Sequence, residues 1–139
     1  MRYVESFRRK VVTADPNESL AGVACLMEAH NTGTVVVVEN GRPVGIVTDR
    51  DLALELGARG TSPQAAVVKV MTTPVETIYE REGIFAATKV MEVSKVRRLP
   101  IVDNDDRLVG IVAMDDLVKL LGRELWNLIE GMAPEMEVK

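Results

Sequence analysis

Gly45-Ile46-Val47-Thr48-Asp49-Arg50-Asp51-Leu52 returns as Gly110-Ile111-Val112-Ala113-Met114-Asp115-Asp116-Leu117, an offset of 65 residues. Upstream the match continues at an offset of 64: Thr13 with Thr77, Leu20 with Ile84, Val23 with Ala87, Met27 with Met91, and Val38 with Val102. One residue was therefore added between Val38 and Gly110, where Glu39-Asn40-Gly41 faces Asp103-Asn104-Asp105-Asp106. An insertion confined to a turn is what a duplicated fold tolerates best. The chain is a tandem repeat, with copies over about residues 11–56 and 75–121.

The hydrophobic period switches inside each copy. Leu20, Val23, Met27 and Ile84, Ala87, Met91 recur at i, i+3, i+7, the spacing of one helix face. Ser19 is placed to cap the first of these helices. Next comes an extended run, Thr34 to Val38, matched by Leu99 to Val102. A polar turn follows, then a second run, Val44 to Val47 or Val109 to Val112. Two such runs joined through Asn40-Gly41 read as a hairpin. A further helix is expected from about Asp49 to Leu56 and from about Asp115 to Leu121. Each copy thus reads strand, helix, strand, strand, helix: a mixed α/β (α+β) fold.

A unit of roughly 45–50 residues buries too little apolar surface to be stable alone, so the copies are expected to pair through their sheets. Gly57 to Gln64 is a loop by composition. The expected division is therefore residues 1–64, the first repeat with its N-terminal segment and linker, and 65–139, the second repeat with its C-terminal helix.

Composition excludes several classes. In 139 residues, 47% hydrophobic and 27% charged describe an ordinary globular chain, not a disordered one. No run of about 18 apolar residues offers a membrane span. The opening residues turn polar too early for a signal peptide, so a cytoplasmic protein is expected. One cysteine and one histidine allow neither an internal disulfide nor an ordinary zinc site. A net charge of −4 argues against a nucleic-acid coat, which needs a basic face. Local cationic clusters remain: Arg8-Arg9-Lys10, and Lys95-Val96-Arg97-Arg98.

With G-I-V-T-D-R-D closing one copy and R-R-L-P-I-V-D inside the other, this order of elements resembles a tandem cystathionine-β-synthase-type (CBS) domain pair, the Bateman module. The resemblance covers the chain except about ten N-terminal residues and the tail after Gly122. It implies two βαββα repeats meeting through their sheets about a pseudo-twofold axis, with adenosyl ligands such as AMP, ADP, ATP or S-adenosylmethionine in the clefts between them.

Thr48 and Asp51 admit two readings. A Thr followed three positions on by an acidic residue is the pattern of a helix cap. A carboxylate with two acceptor oxygens also suits a vicinal diol, and the resemblance gives Asp51 the ribose hydroxyls and Thr48 the ribose or α-phosphate. The two roles are compatible, since a helix start favours anions. Lys95, Arg97 and Arg98 form either a solvated charge cluster or, as the resemblance implies, phosphate contacts to the partner repeat's site. Arg97 and Arg98 are neighbours, and which one faces the cleft is open. Thr13 and Ala14 are expected, again from the resemblance, to flank the adenine through backbone groups.

The second copy departs from this pattern. Ala113 stands where Thr48 does, although Asp116 matches Asp51, and Gly33 and Thr34 align with Arg97 and Arg98. One good nucleotide site and one poor cleft are expected. His30, at a helix end, is read as solvent-facing or capping, Cys25 as a buried inert thiol, the methionines as core, and Asp103 to Asp106 as a turn.

The C-terminal stretch carries Leu117, Leu120, Leu121, Leu125, Trp126, Leu128 and Ile129, either capping the sheet or forming a homodimer surface. No nucleophile–base pair or metal cluster occurs, so an enzyme is not expected and no cofactor is required. The expected function is a stand-alone adenine-nucleotide sensor acting on an unidentified protein effector. The alternatives are a ligand-free dimerisation or interaction protein and an S-adenosylmethionine-binding module.

Overall fold

The computed structural model describes residues 3–4 and 9–138, with side chains described as far as Met132. Arg8, part of the first cationic cluster, lies outside the described residues. Two three-stranded sheets of identical order form the frame. The first contains β1 (Thr13–Ala14), β2 (Thr34–Glu39) and β3 (Arg42–Thr48), with α1 (Leu20–His30) crossing from β1 to its parallel neighbour β2. The second contains β4 (Ile78–Tyr79), β5 (Arg98–Val102) and β6 (Leu108–Ala113), with α3 (Ile84–Ser94) making the same crossover. In each sheet the last two strands are an antiparallel hairpin.

The local chemistry explains the ends of these elements. Ser19 caps α1, its hydroxyl accepting the Gly22 N–H at 3.0 Å, a contact worth about 1 kcal/mol. Asn31 closes the helix in the left-handed conformation, φ 49°. The first hairpin turns on Asn40 and Gly41, both at positive φ (54° and 79°), the combination that matches strand twist. The longer second turn is held by Asp103, whose Oδ1 accepts the N–H groups of Asp105 and Arg107 at 2.9 and 3.0 Å. The acidic run is a turn, as read from the sequence.

Helix α2 (Asp49–Ala53) is shorter than expected; residues 54–58 continue as one wider turn, closed by the Arg59 N–H on the Leu54 carbonyl at 2.9 Å. Helix α4 (Met114–Val138) is longer than the repeat requires and runs unbroken through the tail.

Val23, Val35, Val37 and Val47 pack together in one core; Ala87, Leu99, Ile101 and Val112 pack in the other. Each fully buried valine, leucine or isoleucine among them contributes about 1.5–3 kcal/mol. The boundary expected at 64/65 does not divide these cores. Val67, beyond it, is fully buried in the first, and Val4, far before it, is fully buried in the second. The segment ahead of each repeat packs on the other one.

This exchange is symmetric. Thr72 bridges Ile46 of β3, and Arg9 bridges Ile111 of β6; Ile46 and Ile111 are equivalent positions of the repeat. The hairpins also meet, the Leu108 N–H donating to the Gly41 carbonyl at 2.9 Å and Arg42 Nε to the Asp105 carbonyl at 3.0 Å.

Cys25 corrects the sequence reading: it is exposed. Two residues on from buried Val23 is about 200° around a helix, so Cys25 stands on the outer face. His30 is exposed, and Met27 and Met91 are buried, whereas Met132 is 54% exposed on α4.

Candidate functional site

The larger cavity, about 850 Å³, opens between the repeats, and Thr48, Asp51, Arg97 and Arg98 all line it. Its near wall comes from the β3–α2 junction. There the chain leaves the sheet after Val47 and starts a helix whose first N–H groups need acceptors. Thr48 and Asp51 supply a reciprocal cap: Thr48 Oγ1 accepts the Asp51 N–H at 3.2 Å, and Asp51 Oδ2 accepts the Thr48 N–H at 2.9 Å.

The capping reading is therefore correct, and it does not exhaust either side chain. Among the described residues Thr48 uses its hydroxyl only as an acceptor, leaving the O–H to donate. Asp51 Oδ1 takes no hydrogen bond among the described residues. Both side chains are half-buried.

Across the cavity, Arg97 directly precedes β5 and Arg98 begins it. Both reach the cavity because Arg97 lies ahead of the pleat, where strict alternation does not apply. Arg98 Nη1 donates to the Arg97 carbonyl at 3.2 Å. The Arg97 guanidinium lies 3.8 Å from Asp115, with its side chain 74% exposed. An exposed pair of this kind is worth at most about 1 kcal/mol, so a better anion can displace it. Beside them, the Asp49 N–H donates to the Gly33 carbonyl at 2.9 Å. A Cβ on Gly33 would stand 2.7 Å from an Asp49 carboxylate oxygen, so a side chain there would require the exposed Asp49 carboxylate to turn aside.

Thr13 and Ala14 do not line this cavity or the smaller one. Thr13 is exposed, and Ala14 is 8% exposed within the first core. Their place on the wall is taken by the entry of the second repeat, including Thr72, Val75 and Glu76. The physical reason is the segment exchange: what approaches the first repeat's cleft is the second repeat's entry. Carrying Val11 and Val12 forward by the 64-residue offset reaches Val75 and Glu76, so the repeat arithmetic held the signal.

The second cleft, about 180 Å³, is lined by Ala113, Gly33 and Thr34, and also by Arg9, Lys10 and Arg98. Arg98 thus touches both cavities. Arg9 Nε donates to Asp116 Oδ2 at 2.6 Å, and its Nη2 donates to Asp116 Oδ1. That hydrogen bond, opposed by slight desolvation and helped by the negative charge of Asp116 and Asp115, holds the Arg9 pKa above its ordinary value. Among the described residues no cluster of three His, Cys, Asp or Glu side chains offers a metal site. No described helix is long and apolar enough to cross a membrane.

The model of the CBS domain family matches residues 4–58 and 67–123. The chain belongs to the CBS domain family. Among its relatives, the CBS domain-containing protein YhcV of Bacillus subtilis is 40% identical over 113 residues, covering 81% of this chain and 80% of that protein. An uncharacterized protein of Methanopyrus kandleri is 38% identical over 118 residues, covering 84% of this chain; the match spans only 60% of that protein. Among solved structures, the CBS domain pair of protein MJ0100, in complex with 5′-methylthioadenosine and S-adenosyl-L-methionine, superimposes with a TM-score of 0.79 at 28% identity. The match covers 89% of this chain and 98% of that one. This CBS pair is a mixed α+β fold in which the two halves of the expected site meet on one cavity.

Proposed function

We propose that this CBS pair is a non-catalytic regulatory module that holds one adenine nucleotide, AMP, ADP or ATP, in the larger cleft. The observation that carries the reading is the convergence of Thr48 and Asp51 from one repeat with Arg97 and Arg98 from the other. The free Asp51 oxygen accepts a ribose hydroxyl. The Thr48 hydroxyl donates to the ribose or the first phosphate. The guanidinium groups take the phosphates through charge-assisted hydrogen bonds. The groups present bind and orient; none is a nucleophile held by a base. Signalling to a protein effector in the cytoplasm requires that the nucleotide bind one arrangement of the repeats better than the other.

A homodimer through α4 accompanies this proposal. Val118, Leu121, Leu125, Leu128 and Met132 are each 47–67% exposed and follow each other at steps of 3, 4, 3 and 4, the seam spacing that a like helix covers. A second copy presents that same seam. Leu125→Glu is expected to convert a sedimenting dimer to monomer while leaving the fold intact; a wild-type monomer at all concentrations refutes it.

A second reading, S-adenosylmethionine as ligand, is favoured by the adenosyl compounds named for the MJ0100 pair. Calorimetric titration with AMP, ADP, ATP and S-adenosylmethionine, against wild type and Asp51→Ala, decides between them. Binding of a nucleotide that Asp51→Ala abolishes supports the proposal. No adenosyl compound binding at up to millimolar concentration leaves a ligand-free interaction protein.

A further inference from the structure

We infer that Arg9 ties up the carboxylate of the second cleft from within the chain and thereby limits this CBS pair to one nucleotide. The inference rests on the proposed function of the larger cleft and assigns a role that the repeat alone does not reveal. Asp116 is the repeat equivalent of Asp51. In the first cleft Asp51 keeps one carboxylate oxygen uncommitted; in the second, both oxygens of Asp116 are taken by the two donors of the Arg9 guanidinium. A carboxylate saturated by a fork of this geometry has no acceptor to spare in that direction for a ribose diol.

The backbone fixes the plug in place. Arg9 and Ile111 exchange both hydrogen bonds of an antiparallel pair, at 2.7 and 3.3 Å. The equivalent pairing in the first cleft, Thr72 with Ile46, brings a short neutral side chain and leaves about 850 Å³ open, against about 180 Å³ beside Arg9. The equivalent bridge thus carries threonine beside the larger cleft and arginine, its side chain 53% exposed, beside the smaller. Arg9 determines ligand number.

Two measurements test this. The first uses no ligand: urea unfolding of wild type, Arg9→Ala, Asp116→Ala and the double variant. The double variant is expected to shift the midpoint by less than the two single shifts combined. Additive shifts mean that the contact is not formed, and overturn the plug whatever the larger cleft binds.

The second is calorimetric titration with ATP of Ala113→Thr and of Arg9→Ala/Ala113→Thr, each also carrying Asp51→Ala to silence the first cleft. Restoring the hydroxyl alone is expected to give no binding, whereas removing Arg9 as well gives one ATP per chain. Binding to the variant that keeps Arg9, or none to the one that lacks it, refutes the inference. Failure of wild type to bind ATP speaks against the proposed function of the first cleft, a separate result.

Discussion

Thr72 and Ile46 exchange two backbone hydrogen bonds, at 2.9 and 3.1 Å, and so tie the entry of the second repeat to the last strand of the first. The tie is reinforced by Thr73, whose hydroxyl donates to the Val44 carbonyl at 3.0 Å. It needs Gly45: a Cβ there would overlap the Met71 thioether and lie 2.6 Å from Met71 Cγ. Because Cγ sits close to the backbone, Met71 cannot yield by swinging its tip. Gly45→Ala is expected to destabilise the protein by about 1–3 kcal/mol, read as a lower urea midpoint. It is also expected to weaken nucleotide binding, since Thr72 lines the larger cavity. An unchanged midpoint contradicts the packing account.

The Thr48–Asp51 cap can be separated from a ligand role. Thr48→Ala removes the acceptor for the Asp51 N–H and is expected to cost about 0.5–2 kcal/mol of unfolding free energy. Thr48→Ser keeps a hydroxyl at the same place and is expected to recover most of that loss together with nucleotide affinity. Serine that restores stability but not affinity confines Thr48 to the cap.

The duplicated motif made the fold legible, because each change of hydrophobic period corresponds to an element whose burial the period dictates. The convergence of Thr48, Asp51, Arg97 and Arg98 was legible for the same reason: a repeat that pairs through its sheets sets one copy's strand end against the other's. What the pattern did not carry was the exchange of entry segments. Thr13 and Ala14 belong to a strand inside its own sheet, whereas the cavity wall is built by residues whose pairing, Thr72 with Ile46 and Arg9 with Ile111, is decided by tertiary contact. Cys25 was misplaced because hydrophobic neighbours in sequence do not share a helix face.

Tyr79 gives a pH test of the second turn. A hydrogen bond to Asp106, then the negative charge of that carboxylate, then slight desolvation, raise the phenol above its ordinary value of 10.0. The fold therefore favours the protonated phenol. Its contribution is fully present below the unfolded value and is lost as pH rises through the raised folded one. In a Tyr3→Phe background, where Tyr79 is the one remaining tyrosine, ultraviolet titration is expected to show ionisation above pH 10, and Asp106→Asn to lower it. A midpoint unaffected by that change removes Asp106 as the cause.

Arg97 and Arg98 make the phosphate part of the proposal testable against the adenosine part. Among the described residues neither is committed to a strong internal partner: Arg97 faces Asp115 at 3.8 Å, and Arg98 donates to a backbone carbonyl at 3.2 Å. A phosphate oxygen is a better acceptor than either, and a charge-assisted hydrogen bond contributes about 1.5–3 kcal/mol. Exposure of Arg97 places its share at the low end of that range, and half-buried Arg98 is expected to contribute more. Arg98→Ala is therefore expected to weaken ATP binding by roughly tenfold or more, Arg97→Ala by less. Affinity for adenosine, which has no phosphate, should change little in either variant. Raising the salt concentration should weaken ATP binding to wild type more steeply than to Arg98→Ala, since a screened charge has less to lose once it is absent. Equal losses for ATP and adenosine would instead make the arginines supports of the cavity wall, and the phosphates would have to be held elsewhere.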